Sequence, residues 1–199
     1  KSNPCQELKS LLSLKRDPVG VKLVSRKKER ISKFERPSKP AKYCDFLKQA
    51  SQGKFLKIKK EDFSCITAEI LLGFKEPERI EFNMRLNQPG LKYLLLFPIN
   101  QYHMKDVDCV ILIVNPRNSM DIIEAYVKAY QREMTIKNGI VSGVCGEATA
   151  YVIKNDEVNF SFLCAGSRIF SGFDDCELLC GIPGNKIQTM SRFIKSVVK

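Results

Sequence analysis

Apolar positions along this chain fall into two kinds of run, short continuous or β-branched stretches and stretches with helical spacing. Their alternation predicts an α/β architecture. Pro4 to Leu14 places Leu8, Leu11 and Leu12 at helical intervals, and Val19-Gly20-Val21-Lys22-Leu23-Val24 reads as a strand bounded by Pro18. Tyr43 to Ser51 puts Phe46, Leu47 and Ala50 on one helical face and stops at Gly53, followed by a short strand at Phe55 to Ile58. Asp62 or Ser64 caps a further expected helix, with Cys65 in its first turn, Ile66 to Leu72 as its body and Gly73 at its end. Tyr93 to Phe97 and Val107 to Val114 are continuous apolar runs, the mark of interior strands covered on both faces. After Asn115-Pro116-Arg117, a helix capped by Ser119 carries Ile122, Ile123, Tyr126, Ala129 and Tyr130. Ile140-Val141 leads to Gly143-Val144-Cys145-Gly146, Glu147 to Ile153 reads as helical, and Val158 to Leu163 alternates like a strand. Gly166 to Gly172 reads as a loop, Glu177 to Leu179 as a helical turn, and Ser191 to Lys199 as a terminal amphipathic helix. The expectation is a mixed sheet flanked by helices in a single domain over residues 1–199. Strand, helix, strand and cysteine-bearing helix occur twice, so a duplication of about residues 15–88 and 91–165 is expected, with a motif segment at 163–199.

Composition narrows the class. With 44% hydrophobic and 28% charged residues the chain is an ordinary globular sequence, and its longest apolar run is far too short to span a bilayer. The first residues lack a secretory pattern, so no membrane association and a cytoplasmic location are expected. The net charge of +11 is concentrated: residues 1–60 hold 18 Lys/Arg against 5 Asp/Glu, the remainder 15 against 17. Such asymmetry suits an anionic small molecule, an acidic protein or nucleic acid, or simply reflects a solvated basic loop around Arg26-Lys27-Lys28-Glu29-Arg30. Phe34 is the only aromatic residue between Arg26 and Lys42, so no base-stacking platform is evident.

Chemistry concentrates in the cysteines. There are 8, with a single histidine, and without a secretory signal they read as reduced thiols or metal ligands rather than disulfides. Four sit singly in small-residue turns, at Cys44, Cys65, Cys145 and Cys164, and two of these open matching Cys-x-x-Ala stretches, Cys65 to Ala68 and Cys145 to Ala148. At the start of a helix, unpaired N–H groups favour the thiolate that binds metal or attacks an electrophile. The competing reading is a set of small buried hydrophobes. Four thiolates suffice for an iron–sulfur cluster, although no Cys-x-x-Cys is present. Cys176 and Cys180 would share a face if helical, as extra ligands, redox partners or core. Cys5 and Cys109 read as core, and His103 as a surface residue on a polar loop. Walker-type and dinucleotide loops, His-Glu-x-x-His and serine elbows are all missing.

The densest segment runs from Leu163 to Pro183. With Asp17-Pro18-Val19-Gly20-Val21-Lys22, Tyr43-Cys44 and Ser64-Cys65-Ile66-Thr67-Ala68, it resembles the archaeal and bacterial family called domain of unknown function 169, over nearly the whole chain. Cys164, Gly166, Arg168, Phe170, Gly172, Asp175, Glu177, Leu178 and Gly181-Ile182-Pro183 match the family's late motif. Ala165, Ser167 and Cys176 depart from it, where the family tends to carry Asn, Asp and a carboxylate. The resemblance implies a site including Cys44, Cys65, Cys145 and Cys164 but supplies no activity.

Three functional expectations follow. The first is an iron–sulfur cluster or other metal held by Cys44, Cys65, Cys145 and Cys164, beside an anionic-ligand site at Arg168, Asp175 and Glu177. The alternative for Arg168 is a loop-anchoring ion pair. The second is a non-enzymatic polyanion or nucleic-acid binding module using the basic third. The third is a thiol enzyme with Cys164 as nucleophile beside Arg168.

Overall fold

The computed structural model describes residues 4–25, 31–77, 84–102, 104, 106–139 and 143–198. The basic run Arg26 to Arg30, His103 and Ile140-Val141 lie outside them. Six strands form one sheet: β1 (Val19–Val24), β2 (Leu56–Ile58), β3 (Tyr93–Pro98), β4 (Cys109–Val114), β5 (Asn159–Ser161) and β6 (Leu178–Pro183). Their spatial order is β2-β3-β1-β4-β6-β5, and every pairing between these strands is antiparallel. Parallel pairing is confined to the isolated bridges Glu35–Leu56 and Ala41–Phe63. The fold is therefore α/β, with the two continuous apolar runs, β3 and β4, inside the sheet.

Helices cover both faces, and the period-two alternation of each strand decides which residues meet them. Leu94, Leu96, Cys109, Ile111 and Ile113 join one core with α2 (Tyr43–Ser51), α3 (Ile66–Leu71) and the helical segment 146–155. Leu95, Phe97, Val110, Leu112 and Val114 join the other with α1 (Pro4–Leu11), α4 (Pro116–Tyr130) and α7 (Ile187–Val197). Thus α2 and α4 lie on opposite faces. Gly20 leaves room for the Phe97 ring, which would stand 2.7 Å from a Cβ there.

The segment 146–155 begins as one π-helical turn, Gly146–Ala150, and continues as α5 (Tyr151–Asn155). It lies almost on the backbone of β6: a Cβ on Gly181 would come 2.0 Å from the Ala148 carbonyl oxygen. A helix can approach a strand this closely only over glycine.

Several local expectations are corrected. The segment Gly166 to Gly172 is not a plain loop, because Ala165–Phe170 forms α6. Glu177 to Leu179 is not a helical turn, because Leu178 opens β6 and pairs with Val114. Cys176 and Cys180 consequently share no helical face; Cys176 is exposed and Cys180 is buried in the sheet. The cap of α4 is Asn115 rather than Ser119: its side chain accepts from the Asn118 N–H at 2.8 Å, and Pro116 takes the first helical position. All eight cysteines are free thiols.

Candidate functional site

Cys44 lies in the first turn of α2, Cys65 is the N-cap of α3, Cys145 directly precedes the π-helical turn, and Cys164 is the N-cap of α6. Cysteine is a poor capping residue, and neither Cys65 nor Cys164 makes a side-chain cap bond. Each thiol thus stands beside main-chain N–H groups that no cap side chain has taken.

These four segments approach one another on the face covered by α2 and α3. Burial pushes the Cys145 thiol far up from its ordinary value, and the neighbouring thiols of Cys65, Cys164 and Cys44 push it further. Burial also raises Cys44, partly offset by hydrogen bonds with the Ser167 and Ser171 hydroxyls and reinforced by Asp45 and Cys164. The Cys44 Sγ is 3.1 Å from Ser171 Oγ, and the Cys164 Sγ is 3.3 Å from Ser167 Oγ. Ser167 therefore stands between Cys44 and Cys164. Among the described residues, no three of the His, Cys, Asp and Glu side chains are arranged to hold a single metal ion.

The surroundings fix these positions. Thr149 Oγ1 donates to the Val144 carbonyl at 2.8 Å, and the Tyr43 hydroxyl, 3.0 Å away, donates to Thr149. The first turn of α2 is thereby tied to the Cys145 turn, and the fully buried Tyr43 hydroxyl is itself pushed well above its usual range by burial. Two residues on, the buried Glu147 carboxylate accepts from Ser161 Oγ at 2.8 Å and from the Gly139 N–H at 3.2 Å. Asn159 donates to the Glu147 carbonyl at 2.9 Å. A π-helical turn stacked with such internal bonds holds Cys145 against the sheet; turns of this kind recur at functional sites.

On the outer side, α6 is fastened to α2 by cations. Lys48 Nζ donates to the carbonyls of Ser171 and Gly172, at 2.8 and 2.6 Å, and Lys42 Nζ lies 4.0 Å from the centroid of Phe170. A Cβ on Gly166 would be 3.8 Å from both Cys164 Sγ and Lys42 Nζ, so this ammonium and this thiol flank the same glycine.

Arg168 spends its guanidinium on backbone. It donates to the carbonyls of Asp174 (2.5 Å), Phe162 (2.9 Å) and Glu177 (3.0 Å). Glu177 is buried, pairs with Arg16 at 3.2 Å and accepts from the Asp174 N–H at 2.9 Å, whereas Asp175 is exposed. These contacts make Arg168 and Glu177 organisers of the loop between α6 and β6. A separate cavity of about 660 Å³, lined by Lys22, Asp106, Asp108 and Asp156, contains none of the four cysteines.

Sequence reasoning named Ser167 only as a departure from the family motif and Tyr43 only beside Cys44, and gave no role to Ser171 or Lys42. The four-residue spacing of the two serines would have placed them on one helical face, had the segment been read as helix.

A family model described as domain of unknown function 169, an uncharacterised ArCR family, matches residues 7–83 and 78–192. The chain belongs to this family. No curated protein and no solved structure matches it. The family carries no assigned activity, so the thiol geometry must carry the functional argument. Among the described residues no helix is long and apolar enough to cross a membrane.

Proposed function

We propose that this family member holds an iron–sulfur cluster on Cys44, Cys65, Cys145 and Cys164. The observation that carries the reading is that four cysteines from separate segments each stand at the start of a helical turn, with Cys65, Cys164 and Cys44 near enough to Cys145 to help raise its pKa. Among the described residues no three such side chains are grouped to hold one metal ion, so the reading requires the four thiols to draw together on loading. When bound, such a group supplies one-electron transfer. The protein's own part is to present four sulfurs at helix starts, to hydrogen-bond two of them through Ser167 and Ser171, and to shield Cys44 and Cys145 from water. Because burial keeps those two thiols protonated, loading must displace protons and strengthens as pH rises.

The test is anaerobic purification with iron and sulfide analysis and an absorption spectrum. Brown protein with matched iron and sulfide is expected, weakened by Cys→Ser at each of the four positions and unaffected by Cys176→Ser. Colourless protein that takes up neither element on reconstitution refutes the proposal.

A thiol enzyme centred on Cys164 is the second reading, favoured by its partial exposure and by Lys42 across Gly166. It requires that Cys164→Ser alone abolish activity. Against polyanion binding, Arg36 pairs with Asp62 (2.5 Å) and Glu61 (3.2 Å), and Lys22 pairs with Asp108 (3.3 Å). These two cations are thus engaged internally. Salt-dependent retention of nucleic acid in a filter-binding titration would restore that reading.

A further inference from the structure

The rim of the thiol site is apolar and unusually open. Phe170 is 73% exposed and Ile169 70%, the two most exposed large hydrophobic residues described, and both lie on the short helix that starts at Cys164. Ile66, directly after Cys65, is 56% exposed. A main-chain bond and a cation–ring contact connect the two segments. The Ser64 N–H donates to the Ala41 carbonyl at 2.9 Å, which brings the start of α3 beside Lys42, and Lys42 in turn covers the Phe170 ring. Exposed apolar residues grouped in this way mark contact surfaces rather than ordinary solvent-facing positions.

The charge around the patch has one dominant sign. Lys42 is held by an aromatic face and Lys48 by two neutral carbonyls, and exposed Lys39 lies on the same groove as Lys48 and Asp45, so three lysines face one carboxylate there. The Asp45 carboxylate accepts from the Lys42 N–H, and Arg168 donates to the Asp174 carbonyl. We infer that this face docks a small acidic electron-carrier protein, its carboxylates meeting Lys39, Lys42 and Lys48 and an apolar edge meeting Ile66, Ile169 and Phe170. The electron-carrier identity rests on the cluster reading; the acidic character rests on the lysines. Complementary charge around a small apolar centre gives fast, salt-sensitive association.

The test measures binding of the full chain, iron-loaded and iron-free, to a plant-type [2Fe–2S] ferredoxin as the acidic probe and to a basic cytochrome c as the control. Ferredoxin should bind, weakening roughly tenfold or more as salt rises from about 50 to about 500 mM, and cytochrome c should not. Lys42→Glu and Phe170→Ser should each weaken ferredoxin binding at least about tenfold, while Lys128→Glu on the opposite face leaves it unchanged. Absent or salt-insensitive ferredoxin binding, equal binding of cytochrome c, or full affinity in Lys42→Glu overturns the inference. Iron and sulfide content of every variant keeps the two proposals apart. Iron-free protein that binds ferredoxin but never loads refutes the cluster and the electron-carrier role while upholding an acidic partner. Loaded protein indifferent to Lys42→Glu refutes the docking face alone.

Discussion

Gly181→Ala tests whether the close seat of the π-helical turn on β6 sets the position of Cys145. The added methyl would lie 2.0 Å from the Ala148 carbonyl oxygen, 2.9 Å from its carbon and 2.7 Å from Val152 Cγ2. Ordinary contact distances demand that the helix lift by about 1.5 Å, and the obstructing oxygen belongs to backbone, which has no rotamer to change. Overpacking of this kind costs about 3 kcal/mol. For a chain of this size that corresponds to a fall of about 6–12 °C in Tm. The lifted segment carries Thr149 and Glu147, so the Tyr43–Thr149 and Ser161–Glu147 bonds stretch with it. Cys145, one residue before the turn, should become accessible to alkylation in the native state. Thermal unfolding monitored by circular dichroism, together with mass-spectrometric mapping of alkylated thiols, measures both effects. Gly139→Ala is the control: its Cβ would meet only the flexible Met84 side chain, at 3.4 Å, and should change stability by no more than about 0.5 kcal/mol. A Gly181→Ala protein with wild-type Tm and an unreactive Cys145 would refute the argument.

Removing the Arg168 guanidinium leaves three loop carbonyls without their donor, so Arg168→Ala should destabilise by about 2 kcal/mol in urea titration and speed alkylation of Cys164. Arg168→Lys should recover little, since one ammonium cannot reproduce the planar fork. Burial pushes the Asp17 carboxyl up, but hydrogen bonds from Lys9, Gln101 and Asn100 outweigh it and hold the pKa below its usual value of 3.8. Its stabilisation is therefore complete at neutral pH and lost as pH falls below about 3.8 through the folded-state value; Asp17→Asn should cost about 1–2 kcal/mol at pH 7, a difference that shrinks in acid denaturation profiles. Burial raises the Cys5 thiol to about 12, and raises Cys109, Cys145 and Cys180 as well. Stability should accordingly decline as pH climbs above about 9, where the unfolded thiols ionise and the folded ones do not, and native alkylation at pH 8 should mark exposed Cys176 well before these four.

The elements legible in the sequence were those whose local pattern agrees with their burial. β3 and β4 carry uninterrupted apolar runs because both faces of the sheet are covered, and α2 shows its core stripe and its terminal glycine in plain order. β6 was not legible. Gly181 and Pro183 break its apolar pattern, and Gly181 is there for the sake of a helix about thirty residues earlier in the chain, a tertiary requirement no local window contains. α6 escaped for a related reason: Ala165-Gly166-Ser167 has turn-like composition, and the six-residue helix is held by Lys48 from α2 and by its own Arg168 reaching to the flanking carbonyls rather than by propensity. Once that segment is a helix, Ser167 and Ser171 fall on the face of Cys44 and Cys164, which is why the hydroxyls of the site stayed hidden while its thiols did not.

The eight cysteines divide by position in a way that bears on the site. Cys5, Cys109 and Cys180 lie within a helix or strand, buried among aliphatic neighbours, and fill space as small hydrophobes do. Burial is the first cause of the raised pKa in each, and for Cys5 and Cys180 no thiol neighbour contributes. Cys44, Cys65, Cys145 and Cys164 instead all stand at or within the first turn of a helical segment; the other three help raise Cys145, and serine hydroxyls bond Cys44 and Cys164. Cys65 also packs against the core, but at the caps of α3 and α6 Ser, Thr, Asp or Asn would satisfy the first-turn N–H groups better. A sulfur that must stay free to bind something else does give such a reason. The cost of leaving those caps unmade falls on the two half-buried thiols, Cys65 and Cys164, the same two that open onto the lysine-ringed apolar face.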